Sequence, residues 1–232
     1  MRARDLSAAV PRWDCHVHTR YTDGVPDVEA AVCRAIACGL ARVIFTEHTE
    51  PWQAKYAGWF PDYLRDIDDS RRRHAGEIEI IAGVEAPAVD FDGGLELTDE
   101  MARHADFVLG AAHRYPGMGD VKVSDLGAAT AIDLEFRTLM ALAVNPRVHA
   151  IAHLGATCAK YCGPFPADLA RDVIRTATAH GVPIEINPEY HQPLAQFLRI
   201  CIEENALVTL GSNAHTLEQI GTVHSAVAEA LA

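Results

Sequence analysis

Seven short apolar runs rich in Val, Ile and Ala recur along the chain and predict strands at 12–18, 41–48 ("ARVIFTEH"), 78–86 ("IEIIAGVEA"), 105–113 ("ADFVLGAAH"), 148–155 ("VHAIAHLG"), 181–187 ("GVPIEIN") and 206–215 ("ALVTLGSNAH"). Between them lie longer stretches with helical periodicity, among them 27–40 ("DVEAAVCRAIACGL"), 124–145 ("SDLGAATAIDLEFRTLMALAVN") and 166–181 ("PADLARDVIRTATAHG"). The first of these starts after Pro26 with acids in its first turn and closes at Gly39, as a capped helix does. Strands alternating with helices predict a parallel sheet, because each parallel crossover needs a covering element. Seven strands in this rhythm point to an α/β fold, a distorted seven-stranded (β/α)7 TIM-like barrel. An open doubly wound sheet is the competing topology. No linker, repeat or low-complexity segment divides residues 1–232, which read as one domain.

The first strand, within "WDCHVHTRYTDG" (13–24), inverts the usual pattern. Residues two apart share a face, so Cys15 and Val17 take one side while Asp14, His16 and His18 line the other. Burying such groups without partners costs several kcal/mol, roughly, each. The remaining strand ends repeat the theme: Glu47-His48, Glu85, His113, His153, Glu185-Ile186-Asn187 and Asn213-Ala214-His215. In a β/α barrel the C-terminal strand ends converge on one face, where sites are built. Metal-ligand residue types at nearly every strand end, six of them histidine, predict a metal site there. A lone buried histidine is more often a hydrogen-bonded core residue than a ligand. His74, His104, His149, His180, His191 and His224, in helical patterns, at helix ends or in loops, are accordingly read as mostly surface groups.

Composition narrows the partners. The 32 acidic and 20 basic residues give a net charge of −12, which argues against broad binding to a nucleic-acid backbone. A small anionic substrate remains compatible, since bound metal reverses the sign of a pocket locally. Cysteines 15, 33, 38, 158, 162 and 201 form no CxxC pair and no small-domain disulfide framework, as expected for reduced thiols in a cytoplasmic protein. No signal peptide is recognised, and no apolar run approaches membrane-spanning length.

The series "DCHVHTRYTDG", "FTEH", "GVEA", "AAH", "AHLG", "EIN" and "GSNAH", in that order, resembles the motifs of the polymerase and histidinol phosphatase (PHP) family, and the resemblance runs from Asp14 to about Gly221. It is most like the stand-alone bacterial phosphatases with three metals and the PHP domain of family X polymerases. That resemblance implies a distorted seven-stranded barrel holding two or three divalent transition metals. One would take His16, His18, Glu85 and residue 213; a second would share Glu85 and add His113 and His153; a third would take Asp23, His48 and His215. The family usually has aspartate at the position of Asn213, so the first site loses a negative charge. Zinc is implied by the resemblance, with manganese and iron also suited to a mixed imidazole and carboxylate set.

The implied activity is metal-dependent hydrolysis of a small phosphomonoester, such as histidinol phosphate or a nucleotide, by a metal-bridging hydroxide. Glu85 and Asp14 are the carboxylates assigned to catalysis, Asp14 by orienting a ligand histidine through its second ring nitrogen. Arg20, Arg114 and Lys160 each follow a motif closely and are candidates for gripping phosphate. Tyr21, Trp52, Tyr115 and Tyr161 are candidate pocket walls, and no general acid stands out. A catalytically weakened module with a structural or regulatory metal, a nuclease, and a non-phosphate metallohydrolase are the alternatives, because fold alone does not fix the substrate.

Overall fold

The computed structural model describes residues 1–119 and 121–232. Seven strands, β1 (Trp13–Val17), β2 (Arg42–His48), β3 (Glu79–Pro87), β4 (Phe107–Ala111), β5 (Ala150–Ile151), β6 (Ile184–Ile186) and β7 (Val208–Leu210), form one parallel sheet. Their order in space is their order in the chain. There is no switch point, as an open doubly wound sheet would have, and the two edges meet. Val17 pairs in parallel with Ala214 just past β7. The His18 amide donates to the Ala214 carbonyl at 2.8 Å, and the Ala214 amide to the His16 carbonyl at 3.1 Å. The sheet thus curls into a seven-stranded barrel. Pairing is uneven: β2 and β3 share seven registered positions, whereas β5 and β6 share only Ile151 and Ile184.

Helices α1 (Val28–Ala37), α2 (Trp59–Arg73), α3 (Asp99–His104), α4 (Ala128–Ala143), α5 (Ala156–Tyr161), α6 (Ala167–Ala179), α7 (Leu194–Glu203) and α8 (Thr222–Leu231) lie between and after the strands. The expected helix after Pro26 forms, with the Asp27 side chain accepting from the Ala30 amide at 2.8 Å, and it ends before Gly39 at φ +69°. The helices bury the outward side chains of the strands. Val17, Phe45, Val84, Ile151, Ile184 and Leu210 all belong to the main apolar cluster. Their neighbours in sequence must face the barrel interior, and these are His16, Thr46, Glu85, Glu185 and Gly211 among others. The alternation therefore carries titratable groups inward at the C-terminal ends of several strands. No described helix is long and apolar enough to cross a membrane.

Candidate metal centre

Glu85, at the end of β3 and fully buried, is the hub of the interior cluster. Its Oε1 lies 2.9 Å from His153 Nε2 and 3.1 Å from His113 Nε2. Its Oε2 faces His48 Nδ1 at 3.2 Å, His16 Nε2 at 3.4 Å and His18 Nε2 at 3.6 Å. His16 Nε2 and His18 Nε2 are 3.0 Å apart, and Asn213 Oδ1 stands 3.1 Å from the latter. Asp23 Oδ2 approaches His215 Nε2 at 3.1 Å and His48 Nε2 at 3.5 Å. Donor atoms within metal-binding reach of one another form the sets His16–Glu85–His153, His48–Glu85–His113 and His18–Asp23–His48–His215. His18 and His48 each stand between two groups, which the family pattern had assigned to one apiece.

The protonation pattern shows a cluster short of positive charge. Burial disfavours a charged imidazole at His16, yet Glu185 and Glu85 outweigh it and push the group up to about 10. His48 and His113 reach about 10 against the same burial, held by Asp23, Glu50 and Glu85. His18, buried among other imidazoles with His48 and His16 closest in effect, is pushed well below its ordinary value. Burial alone would raise the Glu85 carboxyl, but His113 and His16 hold it well below the usual range.

Hydrogen bonding within the protein leaves His18 Nδ1, His48 Nδ1, Asp23 Oδ1, Glu50 Oε2 and Glu85 Oε2 without partners although all are buried. Unsatisfied buried acceptors are expensive, and these converge on the same space. A divalent cation meets both needs, supplying charge to the carboxylates and accepting lone pairs from imidazoles that then lose their protons. The residues present fit metal.

A family model described as the PHP domain matches residues 14–208. The chain belongs to the PHP domain family. A protein named probable phosphatase from Syntrophotalea carbinolica is 26% identical over 218 residues, covering 90% of this chain and 82% of its own. Another of that name, from Acetivibrio thermocellus, is 28% identical over 151 residues, and the match spans 62% of this chain and 56% of that protein's length. Among solved structures, the histidinol phosphate phosphatase of Lactococcus lactis, complexed with zinc, L-histidinol and phosphate, covers 94% of this chain and 93% of its own. The TM-score is 0.71 at 20% identity, a likeness of fold.

Around the cluster, the PHP domain places some expected residues elsewhere. The buried Asp14 carboxylate touches no imidazole ring. It accepts from the Ser212 amide at 2.9 Å, the Ser212 hydroxyl at 2.6 Å and the Gly221 amide at 2.8 Å, so it ties β1 to the loop after β7. The orienting role falls to Glu185, whose Oε1 is 2.7 Å from His16 Nδ1 and whose Oε2 accepts from the His153 amide at 2.6 Å. Glu50, whose role was not foreseen, does the same for His113 Nδ1 at 2.9 Å. Glu47 faces away from the cluster and accepts from the Thr19 amide and hydroxyl at 2.8 and 2.6 Å, which pins the loop carrying Asp23.

A cavity of about 350 Å³ opens over the cluster, and its wall includes Trp52, Arg114, Lys160, Tyr161 and Tyr190. Arg114 lays its guanidinium over the Trp52 ring, 4.4 Å from the centroid. Arg20 is not in this wall. It is exposed, with Asp66 of α2 at 3.8 Å, and Tyr21 donates to the same Asp66 at 2.6 Å. Tyr115 turns its hydroxyl away, to Glu135. His191, expected on the surface, is buried. It accepts from the Asn187 amide at 3.0 Å, sits 3.2 Å from the Leu154 carbonyl and stacks on Phe197. Sequence reasoning passed over Tyr190, whose ring lies 5.1 Å from that of His153.

Proposed function

We propose that this PHP domain is a metal-dependent phosphoesterase acting on a small phosphomonoester such as histidinol phosphate or a nucleotide. The observation that carries the reading is Glu85, whose two oxygens face different groups of imidazoles, as a carboxylate shared between two cations must. His16, His18, Glu85 and Asn213 would hold one ion, Glu85, His113 and His153 a second, and Asp23, His48 and His215 a third. Zinc is the first candidate, and manganese or iron also suits these donors. Such ions lower the pKa of water and draw negative charge from phosphoryl oxygens.

The chain's own residues supply the rest. Glu185 holds the His16 proton on Nδ1, so that Nε2 offers its lone pair to the centre, and Glu50 does this for His113. Arg114 and Lys160 face the phosphate from the cavity wall, Arg114 with a planar fork suited to two oxygens. Trp52, Tyr161 and Tyr190 flank the leaving group and narrow access for water. A cavity of about 350 Å³ suits a small ester better than a nucleic-acid strand, as does the −12 net charge.

The second reading, a metal-bearing module with weakened catalysis, is favoured by Asn213, a neutral amide where the family usually has a carboxylate. Elemental analysis with an ester panel decides between them. The phosphoesterase reading expects at least two transition-metal ions per chain and turnover that Glu85→Ala abolishes together with metal retention. A fully loaded protein inactive on every ester supports the module, and turnover surviving Glu85→Ala overturns the mechanism.

A further inference from the structure

Glu135, on α4, is a buried carboxylate that the metal cluster does not use. It borders a small apolar nest formed by Tyr115, Ala131, Leu134 and Cys158, separate from the main core. Its Oε2 accepts from the Tyr115 hydroxyl at 3.0 Å and the Cys158 amide at 2.6 Å, and its Oε1 from the Thr157 amide at 3.3 Å. The Thr157 hydroxyl donates to the Ala112 carbonyl at 2.5 Å. These bonds join two segments distant in sequence, the loop after β4 and the first turn of α5. Each segment carries one cation of the cavity wall: Arg114 directly precedes Tyr115, and Lys160 follows Cys158 by two residues.

Among the described residues no carboxylate lies within 4.0 Å of Arg114 or Lys160. Arg114 stacks on Trp52, and the Lys160 ammonium lies 5.4 Å from the Tyr161 ring centroid. Backbone placement therefore decides where the two charges stand. An apolar side chain at 135 would fill the nest without desolvating a carboxylate, but could not hold three donors from two segments in one arrangement.

We propose that Glu135 is a positioning residue that, through Tyr115 and the start of α5, sets the spacing of the Arg114 and Lys160 walls and so the affinity for the phosphate group. This rests on the phosphoesterase reading above. It is tested on metal-loaded protein with Tyr115→Phe, Glu135→Ala and Glu135→Gln. The measurements are kcat and KM for phenyl phosphate, the Kd of inorganic phosphate by calorimetry, metal content and Tm.

Tyr115→Phe should raise KM and the phosphate Kd about fivefold, the weight of one ordinary hydrogen bond, with metal retained and kcat moved less than KM. Glu135→Ala should do at least as much, and Glu135→Gln, whose amide oxygen still accepts from Cys158, should recover part of the loss. A fall in Tm with KM and phosphate Kd unmoved would make Glu135 a stability residue only, and loss of kcat alone would equally overturn the proposal. If Glu135→Ala does not fold, Tyr115→Phe decides. If no ester is hydrolysed but the phosphate Kd still shifts, positioning stands and the phosphoesterase reading falls. If esters are hydrolysed and neither KM nor Kd shifts, the reverse holds, and with no hydrolysis and no shift both fall.

Discussion

Replacing Glu185 tests whether the metal centre depends on carboxylates that never face the substrate. Glu185 is fully buried and serves two donors at once, His16 Nδ1 at 2.7 Å and the His153 amide at 2.6 Å. In Glu185→Gln one oxygen becomes an NH₂ group. If that group faces the His153 amide, two donors meet. If it faces His16, the ring must accept at Nδ1 and carry its proton on Nε2, which removes the lone pair pointing at Glu85. Either arrangement weakens His16 or His153 as a ligand. Loss of such an orienting partner lowers metal affinity by roughly 10–100-fold, or about 1.4–2.8 kcal/mol. Glu185→Ala leaves both donors unpaired and should destabilise the fold further, by about 3–5 kcal/mol. Zinc affinity by competition with a chromogenic chelator, with thermal melts of metal-free protein alongside, measures both effects. Wild-type zinc affinity in Glu185→Gln would refute the orienting role.

Gly211 keeps the space that Glu185 occupies: a Cβ there would collide with the carboxylate and lie 2.7 Å from His16 Cβ. Gly211→Ala should therefore release metal and lower Tm, and a normally loaded variant would show that the barrel end yields. Arg114→Ala should raise KM for a phosphomonoester by roughly the 2 kcal/mol of a charge-assisted contact while metal content holds; unaltered kinetics return Arg114 to the surface charges. Asn213→Asp should tighten metal binding at the cluster, read by chelator competition, and weaker binding would count against residue 213 as a ligand. In metal-free protein His16, His48 and His113 are raised to about 10 from 6.5, carboxylate neighbours outweighing burial. Groups raised in this way give stability that is complete below 6.5 and is lost as pH climbs towards 10. Tm should fall between about pH 6 and pH 9, and bound metal should flatten the slope by taking the protons' place; a flat metal-free profile would contradict the charge pattern.

The seven strands and the face that gathers the histidines were legible because both follow from periodicity. Apolar runs separated by helices imply a parallel sheet, and residues two apart share a side, so His16 and Glu85 had to enter the barrel. Periodicity gives a side but neither depth nor a partner. Nor does the side always hold: β1 shifts register between Asp14 and Val17, so Asp14 pairs with Val43 of the outer apolar set instead of sharing the His16 face, and its carboxylate meets Ser212, 198 positions away in the chain. Glu185 was visible as a strand-end acid, but its contact with His16 spans 169 positions and follows only from closure of the barrel. Nearness to a motif misled at Arg20, since Asp66 on α2 stands outside the cavity and draws it there. His191 is expected at the surface; the chain around it turns inward, and its buried ring stacks on Phe197.

Asn213 is better understood from the charge of the whole cluster than as a lost ligand. Four buried or half-buried carboxylates, Asp23, Glu50, Glu85 and Glu185, serve the imidazoles there. Three divalent ions, the number proposed, would leave the centre two charges positive with neutral imidazoles, and an aspartate at 213 would cut that to one. A phosphomonoester dianion brings two negative charges. With asparagine the centre alone matches the dianion, and Arg114 and Lys160 in the cavity wall add to the attraction; an aspartate would take one positive charge from the centre inside a low-dielectric barrel, where each charge weighs heavily. Asn213 still reaches the cluster through its amide oxygen, 3.1 Å from His18 Nε2, and its backbone holds the left-handed conformation at φ 54° that asparagine tolerates better than most residues. On this account asparagine exchanges affinity for metal against affinity for a doubly charged substrate, and Asn213→Asp should raise KM for the dianion even as it tightens metal.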